Sequence, residues 1–174
     1  MDDQACHDAH AAGLLHDLGR LSIPDVALHA DGDLSEREWV AIQRHPEAGA
    51  EMLRHVGIDD AVADAVQAHH ERVDGRGYPR GLAGEEIPEL ARIVAVAEVY
   101  DTLTAGTTYR PTMSSFQALT ELRRVAGTQL DERVVEARAG VLAHRPLEGR
   151  HATGVDFDAE LAFERRVAQA TVPS

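Results

Sequence analysis

Residues 66–79 read VQAHHERVDGRGYP, and the rest of the chain is organised around this stretch. Two adjacent histidines, His69 and His70, are followed within a few residues by the turn formers Asp74-Gly75 and Gly77-Tyr78-Pro79. Such dipeptides fix a loop directly beside the histidines. We therefore expect exposed imidazoles at a helix end with a rigid loop next to them, which is a favourable arrangement for chemistry.

The helix before this loop is indicated by Val62 and Val66, which recur at helical spacing, and Asp59 or Asp60 can cap its start. Adjacent residues on a helix point about 100° apart, so the two histidines cannot both reach one small atom from a regular helix, although they can reach a cluster. Alternatively, one histidine is a cation facing the helix dipole and the other is half-buried packing.

Composition and charge exclude several classes of protein. A chain of 174 residues is long enough for one ordinary core, and an apolar fraction of 44% with 4% aromatic residues favours a helical globule. A net charge of −13 argues against DNA or RNA binding. No apolar run is long enough to span a membrane, the start of the chain does not read as a signal peptide, and we expect a cytoplasmic protein. The single cysteine, Cys6, excludes an internal disulfide and a cysteine-based zinc site.

The sequence predicts helices throughout, with no alternating strand pattern of useful length, and thus an all-α fold. The predicted helices run from Gln4 to Asp17, from Ser35 through Ile42, from Pro46 to Gly57, through Val62 and Val66 to the histidine pair, from about Glu89 to Ala105, from Ser114 or Ser115 through Val125, from Asp131 through Leu142, and from Asp156 to Ala170. We expect residues 1–143 to form the main domain and residues 144–174 a loop and an amphipathic helix.

In the helix from Glu89, the spacing predicts one buried face made of Leu90, Ile93, Val94, Ala97 and Leu103. Glu98 lies within this mostly apolar run, where a carboxylate needs a partner. Five further polar residues stand at predicted helix junctions: His16, Asp17, His45, His69 and His70. Imidazoles and carboxylates without a thiolate suit iron, manganese or zinc, and the two adjacent pairs suggest more than one metal.

Four separate runs give the sequence a resemblance to the HD-GYP family, a branch of the HD-domain phosphohydrolases. They are LLHDLGR at 14–20, HPEAG at 45–49, HHERVDGRGYP at 69–79 and IVAVAEVYD at 93–101. The similarity covers roughly residues 5 to 140. It implies an HD-domain helical bundle, two or more divalent metals, often iron or manganese, and hydrolysis of the bacterial second messenger cyclic di-GMP to linear dinucleotide or GMP. A diguanylate cyclase or sensory-domain protein as partner, and a homodimer, are compatible with it.

The resemblance assigns roles to individual residues. His16 and Asp17 match the HD pair, with Asp17 as a bridging ligand and catalytic residue, and His45, His69 and His70 match ligands of the second metal. Glu98 stands where the family usually has an aspartate ligand, and Arg20 where a lysine usually contacts the scissile phosphate. All 17 basic residues are arginine, and a guanidinium can still bind phosphate bidentately. The substrate contacts are expected at Arg20, Gly77, Tyr78, Pro79 and Arg110.

Several departures from the family pattern keep alternatives open. The chain begins too close to His16 to contain the earlier helix that usually carries a glutamate and a histidine ligand, and Thr107 stands where the family usually has an arginine. Glu160 and Glu164 lie one turn apart in the last predicted helix, which either takes over that role or is a surface helix. Tyr78 either packs against a guanine base or orders its loop.

Three functions are compatible with the residues. The first is metal-assisted hydrolysis of cyclic di-GMP, with Arg20 offsetting charge on the phosphoryl oxygens. The second is hydrolysis of another nucleotide or cyclic dinucleotide by the same metal set. The third is a non-catalytic domain that binds metal or partner proteins and signals without turnover. Metal content separates them, because a catalytic site predicts at least two metals per chain and a structural remnant one or none.

Overall fold

The computed structural model describes residues 1–23, 35–105 and 112–144. These residues form α-helices and short 3₁₀ turns, and no strand occurs among them, so the all-α expectation is confirmed. The helices are α1 (Asp3–Leu15), α2 (Glu36–Ile42), α3 (His45–His55), α4 (Asp60–Ala68), α5 (Glu89–Thr104), α6 (Ser115–Val125) and α7 (Glu132–His144), with 3₁₀ turns at Leu18–Ser22 and Gly84–Glu86.

Local capping explains where several of these helices begin. The Ser35 and Glu38 side chains form a reciprocal capping box at the start of α2, and Ser114 and Gln117 do the same at the start of α6. The Asp59 carboxylate accepts from the backbone N–H of Ala61 at the start of α4. Such caps satisfy N–H groups that have no partner within the helix, which is why these starts could be predicted.

Among the residues that the structure describes, two apolar clusters form the core, and α5 contributes to both. The first joins residues of α1, α3, α4 and the first half of α5, including Ala12, Leu53, Val66 and Val94. The second joins the later part of α5 to α6 and α7, including Val96, Tyr100, Leu122 and Val135. Because α5 crosses from one cluster to the other, it fixes the two halves of the bundle relative to each other.

The single buried face predicted for α5 is partly wrong. Val94 and Leu103 are buried, as expected, but Ala97 is exposed, and Val96 and Tyr100 are buried instead. The buried side changes along the helix because its two halves pack against different neighbours. Phe116, in the helix expected after Ser114, is also largely exposed.

Some expectations fall outside the described residues. They concern Thr107, Arg110 and the predicted helix from Asp156 to Ala170 with Glu160 and Glu164. Within the described part of the chain, no helix has the length and apolar character needed to cross a membrane.

A close backbone approach positions the first half of the bundle. Gly19, in the 3₁₀ turn after α1, is buried against α3, and a Cβ at this position would overlap the carbonyl oxygen of His45 and crowd the amide of Gly49. A Cβ at Gly49 would in turn lie 3.1 Å from the Gly19 nitrogen. Glycine at both positions therefore lets the turn that carries Asp17 and Arg20 lie directly against the helix that carries His45.

We predict that Gly19→Ala destabilises the protein by about 2 kcal/mol or more, because the added methyl group has no space without moving two backbones apart. Gly13→Ala is the matched control, since a Cβ at this exposed helical glycine meets nothing within 4 Å. It should leave stability unchanged or raise it by about 0.5–1 kcal/mol. Urea unfolding of both variants and the wild type measures the difference, and equal stability of all three would contradict the close approach.

Candidate metal centre

Three histidines are oriented by the same local hydrogen bond. Each stands just beyond the end of a helix, and its Nδ1 lies next to the backbone carbonyl three residues earlier: 2.8 Å for His16 and Gly13, 2.7 Å for His45 and Ile42, and 2.6 Å for His69 and Val66. A carbonyl oxygen can only accept, so each Nδ1 carries the proton and donates it. In each ring, Nε2 therefore presents a lone pair.

Three of the imidazoles converge. Among the described residues, His45, His69 and His70 form a group whose ligand nitrogens all lie within 4.8 Å of one another. The Nε2 atoms of His45 and His69 are 3.3 Å apart. Both histidines are fully buried, so the expectation of exposed imidazoles at this helix end is wrong for His69. The adjacent histidines reach the same cluster because α4 ends at Ala68, before either of them.

Asp17 lies between His45 of this group and His16. Its Oδ2 is 3.4 Å from Nε2 of His16, and its Oδ1 is 3.5 Å from Nε2 of His45. Oδ1 also accepts a hydrogen bond from Arg20 Nε at 2.7 Å. The carboxylate thus faces a different histidine with each oxygen, which is the arrangement that a bridging ligand requires.

Burial keeps the converging histidines neutral. Loss of solvation lowers the pKa of His45 to about 4, and it lowers the pKa of His69 and His70 well below the usual value, with the neighbouring imidazoles acting in the same direction. Neutral imidazole is the form that binds a metal ion.

These residues fit a divalent metal ion. Two lone pairs that face each other at the His45–His69 distance repel unless something positive lies between them. Nitrogens each about 2.1 Å from one ion are about 3.0–3.4 Å apart when the angle at the ion is about 90–110°. Nε2 of His16 is also buried, and among the described residues it has no hydrogen-bond partner. A cation bound here would supply the partner that these nitrogens lack.

The loop after the histidines packs back onto them. The backbone N–H of Tyr78 donates to the carbonyl of His70 at 3.2 Å, and the Tyr78 ring stacks on the His70 ring with centroids 4.8 Å apart. A Cβ on Gly77 would overlap the backbone of Arg72, so only glycine fits there. Two roles were expected for Tyr78. Its contacts with His70 agree with the ordering of the loop, while contact with a guanine base stays a prediction.

Three other predicted site residues are Pro79, Glu98 and Arg110, and the structure describes the first two of them. Pro79 follows Tyr78 in this loop through a cis peptide bond. Glu98 lies half-buried on α5, and it does not belong to the converging group found among the described residues. Its role as a ligand, like the role of each site residue, stays a prediction. Arg110 is outside the described residues.

Sequence reasoning missed two residues beside the site. Glu71 is only 4% exposed, and its carboxylate accepts backbone hydrogen bonds from the far end of the loop. Trp39, the single tryptophan, is buried in α2 with its ring edge-on to Tyr78 at 6.0 Å. A glutamate directly after two histidines was the available signal for the first, whereas nothing local indicates the second.

The described residues form an all-helical fold with a histidine cluster that could hold a metal ion and a carboxylate beside it, a combination typical of metal-dependent hydrolases. The family model described as "HD domain" matches residues 1–134. The chain is 42% identical over 127 residues to a cyclic di-GMP phosphodiesterase of Pseudomonas aeruginosa and 39% identical over 128 residues to a 3'3'-cGAMP-specific phosphodiesterase of Vibrio cholerae. The chain belongs to the HD-domain family, in its HD-GYP branch.

These matches cover 72% and 73% of this chain but only 30% of each relative, so the chain spans about a third of the length of the relatives it matches. A crystal structure of a cyclic GMP-AMP-specific phosphodiesterase from Vibrio cholerae matches the whole chain with a TM-score of 0.64 at 23% identity, covering 46% of that protein. This likeness confirms the fold. The expected boundary at residue 143 stays a prediction.

We predict that the metal-free protein loses stability as the pH falls from about 6.5 towards 4. Between the pKa of an unfolded histidine, about 6.5, and that of folded His45, about 4, the unfolded chain binds a proton that the folded protein does not. His45 alone then costs about 2 kcal/mol at about pH 5 and nothing well above pH 7.

Urea unfolding in the presence of a chelator, at about pH 7.5 and about pH 5, measures this loss. The His45→Gln variant should show a smaller decline between the two conditions, because its side chain does not titrate. Equal stability of the wild type at both values would contradict the assignment of His45 as a buried neutral imidazole.

Proposed function

We propose that this domain is a metal-dependent phosphodiesterase that hydrolyses cyclic di-GMP to linear dinucleotide or GMP. The observation that carries the proposal is the convergence of the buried His45 and His69 and the half-buried His70, all neutral, beside the Asp17–Arg20 pair. Relatives named as cyclic di-GMP phosphodiesterases support this choice of substrate. A cytoplasmic location belongs to the same proposal, since a second messenger of this kind acts inside the cell.

The metal ligands in this proposal are His16, Asp17, His45, His69, His70 and Glu98. Two separate pairs of donors, His16 with Asp17 Oδ2 and His45 with Asp17 Oδ1, favour two or more ions rather than one. A donor set of imidazole and carboxylate without thiolate favours iron or manganese, with zinc also compatible. When bound, such ions activate water and offset charge on a phosphoryl group.

In this proposal, residues of the chain orient the ligands and bind the substrate. Asp17 is held in place by Arg20 Nε, which fixes the carboxylate between His16 and His45. The Arg20 guanidinium adjoins the centre, so it can bind a phosphoryl oxygen and stabilise the negative charge that develops there during in-line attack. Tyr78 is stacked on His70, and from this position it can pack against a guanine base.

A second candidate substrate is 3'3'-cGAMP. Relatives of similar identity are named as phosphodiesterases specific for that dinucleotide. The two substrates share the phosphodiester ring and differ in one base, so the metal centre would serve both. A domain that binds metal or a partner protein without turnover remains the alternative to both, and a diguanylate cyclase, a sensory-domain protein or a second copy of the chain are its proposed partners.

The direct test is hydrolysis of both dinucleotides by the purified chain supplied with Mn²⁺ or Fe²⁺, with chromatographic separation of products. Asp17→Ala should abolish turnover and most metal binding, because it removes the carboxylate between the two donor pairs. Asp64→Ala is a matched control, since Asp64 is an exposed carboxylate that pairs with Arg54 and not with any of the proposed ligands. Full activity of the Asp17 variant would refute the assignment of Asp17 to the active site. The absence of any linear product from the wild type would refute the proposed phosphodiesterase activity.

We predict that Arg20→Ala lowers kcat by about 10²-fold while metal content is retained, because a donor aimed at developing charge is lost. Arg54→Ala, which removes a half-exposed arginine from a surface ion pair, should leave kcat unchanged. Steady-state kinetics and metal analysis of the same samples compare kcat and metal content between the wild type and the two variants. Loss of metal from the Arg20 variant would mean that the residue acts only by holding Asp17.

A further inference from the structure

Glu71 is a buried carboxylate whose two oxygens both have partners within the fold. Oε1 accepts from the backbone N–H of Arg80 at 2.7 Å, and Oε2 accepts from that of Leu82 at 3.0 Å. By sequence, Glu71 is a candidate ligand as well, because it directly follows the proposed ligands His69 and His70. Here its oxygens face the far end of the loop instead.

These two hydrogen bonds close the loop that contains Tyr78. They join residue 71 to residues 80 and 82, and between these points the chain turns back so that the Tyr78 N–H reaches the His70 carbonyl. The Gly77 backbone lies against residues 70–72 with no room for a Cβ. The loop is therefore held at both its base and its middle, next to the backbone of His70.

The closed loop places an aromatic surface on His70. The Tyr78 and His70 rings are stacked with an angle of 26° between their planes, and the buried Trp39 ring lies edge-on to Tyr78. His16, His45 and His69 are each oriented by a carbonyl three residues earlier. The His70 ring is stacked on Tyr78, a contact that also restrains its orientation.

We propose that Glu71 is a positioning residue for the metal centre: by closing the loop, it holds Tyr78 against His70 and so sets the orientation of that ligand. This inference rests on the proposed metal-dependent function. Groups that orient a metal ligand without touching the metal commonly affect metal affinity 10- to 100-fold.

The test is Mn²⁺ affinity of Glu71→Gln, measured by calorimetry on the full chain. An amide offers one acceptor oxygen, and its NH₂ group faces the second backbone N–H, so one of the two hydrogen bonds is lost at constant side-chain shape. We expect affinity to fall by about tenfold. Glu71→Asp, which keeps both acceptors on a shorter side chain, should recover part of the affinity.

Glu86→Gln is the matched control. Glu86 also accepts a backbone hydrogen bond, from Ala83 at 3.0 Å, and lies close by in the chain, but it is exposed and closes only its own 3₁₀ turn. Its substitution should leave Mn²⁺ affinity unchanged. An equal loss in both variants would show that any disturbance of this loop weakens the site, and would overturn the specific role of Glu71.

Trp39 provides a second readout that needs no metal. It is the single tryptophan, and its ring contacts Tyr78, so acrylamide quenching of its fluorescence reports whether the loop is in place. In the metal-free protein, Glu71→Gln should increase quenching and Glu86→Gln should not. Unchanged quenching and unchanged Mn²⁺ affinity in Glu71→Gln would refute the proposal.

Two further outcomes are distinguishable. If the wild type binds no Mn²⁺, the proposed function fails, and the role of Glu71 towards a metal fails with it. If Glu71→Gln does not fold, Tyr78→Leu decides, because it leaves both Glu71 hydrogen bonds in place and removes only the stacked ring. It should weaken Mn²⁺ binding by about tenfold, and unchanged affinity would overturn the positioning of His70 by this loop.

Discussion

The centre depends on one hydrogen bond used three times, from the Nδ1–H of a histidine to the carbonyl three residues earlier. The last carbonyls of a helix have no partner within it, so a histidine just beyond the helix end can satisfy one of them. In doing so it fixes both its tautomer and the direction of Nε2. His16, His45 and His69 follow three different helices, and the packing of these helices brings His45 and His69 together with His70 and places Asp17 next to His16 and His45.

The packing that brings these caps together has its own constraint. The turn after α1 can deliver Asp17 to His45 only because Gly19 and Gly49 let two backbones approach without side chains between them. Burial of the imidazoles raises the free energy of protonating them, because charged rings would be poorly solvated and would repel one another at these short separations. The rings therefore stay neutral. A stable fold with neutral, converging imidazoles is therefore also a fold prepared for a cation.

The sequence predicted the parts of this arrangement that are local. The capping box at Ser35 and the junction positions of the histidines depend on residues a few places apart. The burial of His69, the exposure of Ala97 and the use of Glu71 were not predictable in this way, because each depends on how distant segments pack. The resemblance of four runs to a known family named candidate ligands, but the stacking of Tyr78 on His70 could be recognised only from the structure.

The central claim is that this domain holds a cluster of divalent metals between its helix ends. Metal analysis of the purified chain, prepared without chelator or oxidant and expressed as ions per chain, tests it most directly. We expect two or more ions, iron or manganese foremost, bound by imidazoles and carboxylates. One ion or none, even after iron and manganese have been supplied, would contradict it and favour a domain that signals without turnover.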